Sequence, residues 1–185
     1  MARGPTYIAL LHHPVYDRNR SIVATAITNL DIHDLARSAR TFGISAYFLV
    51  TPLERQRALA QRIVTHWGDE SGPRAEALQT VRIAESLDDV IAAVERESGR
   101  PLVVATAARP VWRDKGIGYQ ALRRQIEASE TPLLVLFGTG WGLVEAVIER
   151  SDRVLEPIVG AGPYNHLSVR SAAAIILDRL FGERQ

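Results

Sequence analysis

Asp31, Asp34 and Arg37 fall within two helical turns of one another in the stretch "TNLDIHDLARSARTFG". A carboxylate can take a proton from a nucleophile, and a guanidinium can hold an anion or polarise a hydroxyl. Residue types alone leave such chemistry and a plain helix surface both open. The same spacing also describes a solvated helix face, because acids near a helix N-terminus complement its dipole. His12 and His13 stand side by side at the end of "YIALLHH". No acidic motif accompanies them, so they read as structural, and no metal site is expected.

Two stretches could hold a ligand. "LLVLFGTGWGLVEAVIE" runs from a strand pattern through Gly138, Gly140 and Gly142 into a helix pattern. Glycines at such a turn let the main chain approach a ligand and aim its N–H groups inward. A tight strand-to-helix turn would use the same residues. "EPIVGAGPYNHLSVRSAAAIILDRL" begins as a strand, crosses a Gly/Pro/Tyr/Asn/His loop and ends in an apolar helix. That loop is more elaborate than a helix cap requires. A dinucleotide site would need GxGxxG spacing and a longer following half, and a P-loop would need GxxxxGK[ST]. Neither is present.

The elements that must position these residues alternate. Strands are expected over 7–12, 45–50, 80–84, 102–107, 133–137 and in "RVLEPIV". Helices are expected in "NLDIHDLARSARTFG", from Pro52 to about Trp67, and in "LDDVIAAVERES", "YQALRRQIEAS" and "LVEAVIER". A last helix is expected from about Ser168. Six strands alternating with helices imply an α/β fold, with a mostly parallel six-stranded sheet and helices on both faces. Ligands of such sheets bind beyond the carboxyl ends of the strands. There the chain places "ATAARP", "FGTGWGL" and "PIVGAGPYNH".

Composition bounds the class. The chain has 185 residues, 46% hydrophobic and 23% charged, with no cysteine. It reads as one domain spanning 1–185 with a full core. Thiolate nucleophiles, disulfides and Cys-ligated zinc are excluded. No apolar run approaches a membrane span, and the first strand starts too early for a signal peptide, so the expected location is cytoplasmic. Net charge is +1 but uneven: residues 1–62 carry eight Arg against four acids, and residues 63–99 three Arg against eight. A basic N-terminal region could face phosphates. Arg109, Arg113, Lys115, Arg123 and Arg124 around a long connection offer a second such patch, and Trp141 could stack on a ligand or fill the loop.

"FGTGWGL" followed by "LEPIVGAGPYNHLSVRSAAAII" resembles the second and third motifs of the SPOUT superfamily of S-adenosylmethionine-dependent RNA methyltransferases. "TNLDIHDLARSARTFGI" resembles the first motif of the SpoU branch, with Arg37 six residues before Gly43 as the motif Arg is. The resemblance covers nearly the whole chain, is closest to stand-alone bacterial members, and is most specific in "YNHLSVRSAAAI".

The resemblance implies an α/β sheet ending in a C-terminal deep trefoil knot, with S-adenosylmethionine held at the knot by main-chain groups. It implies an enzyme acting on tRNA or rRNA, and a homodimer. The cofactor residues it implies are Thr106 and Ala107 in the first loop. Phe137, Gly138, Thr139, Gly140, Gly142 and Leu143 belong to the second. Pro157, Ile158, Gly160, His166, Leu167 and Ser168 belong to the third. Arg37 and Asp34 are the catalytic candidates, with Arg37 acting across the dimer. The motif Glu of the second loop is replaced by Gly140 or Trp141, and motif Asn residues by His166 and Asp31. A ribose 2′-hydroxyl and a base nitrogen both remain open as targets. The alternatives are a non-catalytic RNA- or nucleotide-binding module on the same fold, and a flavodoxin-like regulator.

Overall fold

The computed structural model describes residues 3–110 and 113–183, with Arg113 described by its main chain alone. The chain opens with β1 (Thr6–Leu11), β2 (Val15–Tyr16) and β3 (Ile22–Val23). Then come α1 (Asn29–Thr41), β4 (Ala46–Val50), α2 (Glu54–Gly68), α3 (Pro73–Leu78), β5 (Val81–Ala84) and α4 (Leu87–Ser98). β6 (Leu102–Thr106), β7 (Gly116–Ile117), α5 (Tyr119–Glu127) and β8 (Leu133–Gly138) follow. α6 (Glu145–Arg150), β9 (Arg153–Leu155) and α7 (Val169–Phe181) complete the order.

Seven strands form one parallel sheet in the order β5-β4-β1-β8-β6-β9-β7. β1, β4 and β8 are continuous apolar runs because helices cover them on both sides. Ile8, Leu10, Tyr47, Val135 and Phe137 face α1, α5 and α7. Alternate residues Ala9, Leu11, Phe48, Leu134 and Leu136 face α4 and α6.

The sheet has seven strands where the sequence predicts six. The extra strand, β7, is two residues long and pairs only with β9 at the edge. The expected sixth strand shrinks to Arg153–Leu155, because β6 and β7 end beside it and Pro157 has no N–H to extend a ladder. α3 starts on Pro73, in a stretch where the sequence predicts no element. The polar turn after β1 is a small antiparallel hairpin of β2 and β3.

α1 starts at a capping box: Thr28 Oγ1 accepts from Asp31 N at 3.2 Å, and the Asp31 carboxylate accepts from Thr28 N at 3.3 Å. α7 is capped by Ser168, whose Oγ accepts from Ser171 N at 3.2 Å. It buries Ala173, Ile176, Leu177 and Leu180, while Ala172, Ala174 and Ile175 stay partly covered. Among the described residues no helix is long and apolar enough to cross a membrane.

Candidate functional site

The three loops singled out in the sequence leave neighbouring strands, since β6 lies between β8 and β9. They therefore converge on one stretch of the carboxyl edge. Thr106 closes β6 by donating its hydroxyl to Leu136 O at 2.8 Å, which ties the first loop to β8. Phe137 is 1% exposed in the core and Leu143 is buried against the opposite layer. Their side chains do not face the edge, so only their main-chain groups remain for a ligand.

The glycine loop is clamped by the hairpin. Trp141 N donates to Tyr16 O at 2.8 Å, and Tyr16 N donates to Gly142 O at 2.9 Å. A Cβ on Gly140, at φ +58, would meet Tyr16 O at 2.8 Å; one on Gly138 would meet Leu143 N at 2.8 Å. These two glycines are required by the protein's own packing. Gly142 differs: its φ is +104 and nothing lies within 4 Å of its Cβ position. It is the glycine of this loop with open space for a ligand.

The third loop fits a ligand bound by main-chain groups. Between Ile158 and Ser168, no backbone N–H donates to another protein group among the described residues. Val159 is 79% exposed, Tyr164 77% and Leu167 47%. In this exposed loop the N–H groups and the uncovered apolar side chains are open to water or to a ligand. Asn165 Nδ2 donates to Ala108 O at 3.0 Å, joining this loop to the one after β6. Pro157 and Ile158 are half-buried, whereas Gly160, His166 and Ser168 are exposed; the His166 ring lies 5.2 Å from that of Tyr164.

Arg37 is exposed on α1, with no side-chain hydrogen bond or ion pair among the described residues. It lies eight residues beyond Asn29, about 12 Å down the helix from its start at 1.5 Å per residue. The helix runs away from the carboxyl edge, and one turn before Arg37 the side chain of Asp34 meets Arg170, two residues beyond Ser168. Asp34 is ion-paired: Arg170 Nη1 donates to Asp34 Oδ2 at 3.0 Å. Asp31 is buried, used by the capping box, and 3.7 Å from Arg170 Nε. The structure thus gives both acids local partners that the sequence did not reveal. Tyr47 donates to Asp31 O at 3.3 Å, and burial holds its phenol well above the ordinary range.

His12 is buried, and it forms a network that no local pattern signals. Its Nδ1 lies 2.9 Å from Thr25 Oγ1, which lies 2.6 Å from Thr139 Oγ1; Thr139 in turn donates to Leu11 O at 3.1 Å. Burial lowers the His12 pKa, partly opposed by Asp31, which favours the neutral ring. Thr139 is therefore engaged inward. Among the described residues no group of three or more His, Asp or Glu could hold a metal ion.

Two residues of the second basic patch are engaged within the protein. Lys115 Nζ donates to the carbonyls of Glu149 and Ser151 at the end of α6, and Arg123 donates to Glu127 and Gly182 O. Arg109 and Arg124 stay exposed; the Arg113 side chain lies outside the described residues. Trp141, 61% exposed, does not fill the loop.

Comparison with known proteins supplies the class. Residues 5–182 match the family described as SAM-dependent RNA methyltransferase. An Aquifex aeolicus protein described only as uncharacterized is 44% identical over 191 residues, covering all of this chain and 92% of that one. A protein of Oleidesulfovibrio alaskensis named tRNA (guanine-N(1)-)-methyltransferase is 43% identical over 183 residues, covering 96% of this chain. This chain spans only 42% of that relative. In fold, the chain is like the SpoU methyltransferase AviRb from Streptomyces viridochromogenes, crystallised with AdoMet, with a TM-score of 0.62 at 17% identity. That match covers 97% of this chain and 58% of the other. With its three loops gathered at one sheet edge and a family match over nearly its full length, the chain belongs to the SAM-dependent RNA methyltransferase family.

Proposed function

We propose that the chain methylates a nucleotide of tRNA or rRNA, working in the cytoplasm as a homodimer of single-domain subunits with a knotted carboxyl end. The observation that carries the cofactor site is the Ile158–Ser168 loop with its unused N–H groups, beside open Gly142. S-Adenosylmethionine bound there supplies an electrophilic sulfonium methyl. Main-chain groups of the Thr106–Ala107, Gly138–Leu143 and Pro157–Ser168 segments hold and orient it. Catalysis is then mainly positioning. Arg37 holds or polarises the target group, and, exposed on α1 with no side-chain partner among the described residues, it is available to the partner subunit's site. Asp34 fixes Arg170 rather than taking a proton.

Support for tRNA comes from the name of the Oleidesulfovibrio relative, and from a solved structure described as insights into 2-OH methylation of C/U34 on tRNA. The first name belongs to a protein more than twice as long, so guanine N1 is not carried over. The knot is supported by Asn165 reaching Ala108 O, which brings the last loop across the one after β6. The dimer is supported by half-covered Ala174 and Ile175 on α7 and by Leu30, 53% exposed, on neighbouring α1.

Calorimetry tests the cofactor. S-Adenosylhomocysteine should bind, and NAD and ATP should not. Tight NAD binding without S-adenosylhomocysteine binding would end the proposal.

A further inference from the structure

Arg20 is the one non-glycine residue with a left-handed backbone among the described residues, at φ +68. It closes the turn between β2 and β3. Asp17 shapes that turn: its Oδ1 accepts from Asn19 N and Ser21 N at 2.8 Å each, and its carbonyl accepts from Arg20 N at 3.1 Å. Gly or Asn takes such a position more cheaply than any long side chain. An arginine there points to a use for its side chain.

That side chain stacks. The Arg20 guanidinium carbon lies 4.0 Å from the centre of the Tyr16 ring. Tyr16 is also the residue whose backbone grips Trp141 and Gly142. The stacked pair is therefore fixed rigidly to the cofactor loop. Beside it, Trp141 is 61% and Ile22 60% exposed, and Arg18 is exposed. Two cations, an uncovered indole and an uncovered aliphatic chain stand at the edge where the cofactor loops converge.

We propose that the β2–β3 hairpin and Trp141 form a stacking platform for an unpaired nucleotide of the RNA substrate, next to the nucleotide that is methylated. The platform presupposes that the chain acts on RNA. Every base has a π-face that stacks on an indole or a guanidinium, and phosphates pair with arginine. A paired A-form helix hides its base faces, so the ligand is an unpaired nucleotide in a loop or bulge. A second copy of this chain fits poorly, since a two-fold contact here would set Arg18 and Arg20 against their own copies.

Arg20→Gly separates use from folding, because glycine relieves the backbone while removing the guanidinium. Filter retention of labelled total bacterial RNA, with S-adenosylhomocysteine present, should weaken about ten-fold for Arg20→Gly and for Trp141→Ala. Trp141→Tyr should restore most of the loss. For Arg20→Gly, which lies outside the cofactor loops, affinity for S-adenosylhomocysteine should not change, and this variant should melt no lower than the wild type. Unchanged RNA retention in both variants would overturn the platform while leaving RNA methylation standing. Conversion of a dimer to a monomer by either variant would reassign the surface to self-association. If the wild type binds S-adenosylhomocysteine but no RNA, the RNA reading falls and the platform with it.

Discussion

Arg170, one residue into α7, ties the closing helix to α1 by donating to Asp34 Oδ2 at 3.0 Å. Its Nε also lies 3.7 Å from Asp31 Oδ1. The helix after the third loop is thereby joined to the helix that carries Arg37.

Asp34→Asn should accordingly act on stability more than on catalysis. The pair is partly exposed, with side chains 32% and 44% accessible, so it contributes at most about 1 kcal/mol. Thermal unfolding should fall by a few degrees, with methyl transfer within a few-fold of wild type. A hundred-fold loss of transfer with an intact fold would return Asp34 to the role of base.

Gly140 and Gly142 should fail differently. Gly140→Val meets Tyr16 O and an unfavourable φ, costing about 2 kcal/mol or more and loosening the hairpin. Gly142→Ala carries a backbone cost of about 1 kcal/mol but finds open space, so its methyl intrudes on the ligand. Melting temperature should drop more for Gly140→Val. At temperatures where both are folded, affinity for S-adenosylhomocysteine should drop more for Gly142→Ala. Equal affinity of Gly142→Ala and wild type would remove Gly142 from the site.

Most of the parallel sheet and the presence of α1, α4 and α7 were legible from period and glycines. Thr28, Ser86 and Ser168 each cap a helix with the side-chain oxygen such positions favour. What escaped was short or distant. β2, β3 and β7 are two residues each, below any readable period, and α3 spans six. The hairpin still left a signal in "VYDRNRSIV", an Asp-led polar turn between β-formers. The three loops that meet at the carboxyl edge were legible, but the partners of the side chains around them were not. Thr139 turned inward to Thr25, 114 residues away, and Asp34 to Arg170, 136 residues away. No local pattern encodes such pairs. Phe137 was placed among ligand residues because it precedes Gly138, yet strand alternation sends it into the core.

Acid should weaken the fold through His12. Its folded pKa lies below the ordinary value of about 6.5 because burial disfavours the charged ring. The unfolded chain then binds more protons below that pH, so stability present at neutral pH is lost as pH falls from about 6.5 toward the folded pKa. His33 is lowered too, by burial and then by Arg74, and contributes in the same direction. Melting temperature should decline from pH 7 to pH 5. His12→Asn, which can keep a donor toward Thr25, should flatten that decline; an unchanged slope would exclude His12 as its source.

Arg37 should act across the subunits. Arg37→Ala is expected to abolish methyl transfer with cofactor affinity intact. Mixed with Gly142→Val subunits, themselves inactive, it should recover about half the activity per mixed dimer, because one composite site stays whole. Sedimentation as a monomer at micromolar concentration, or no recovery despite proven mixing, would contradict the arrangement.

The most direct measurement is transfer of labelled methyl from S-adenosylmethionine to bacterial RNA, with the modified nucleotide mapped. The wild-type chain should label tRNA or rRNA at one position, either a ribose oxygen or a base nitrogen, and the Arg37→Ala chain should not. Binding of S-adenosylhomocysteine without label in any RNA pool would contradict the enzyme and leave a binding module on the same fold.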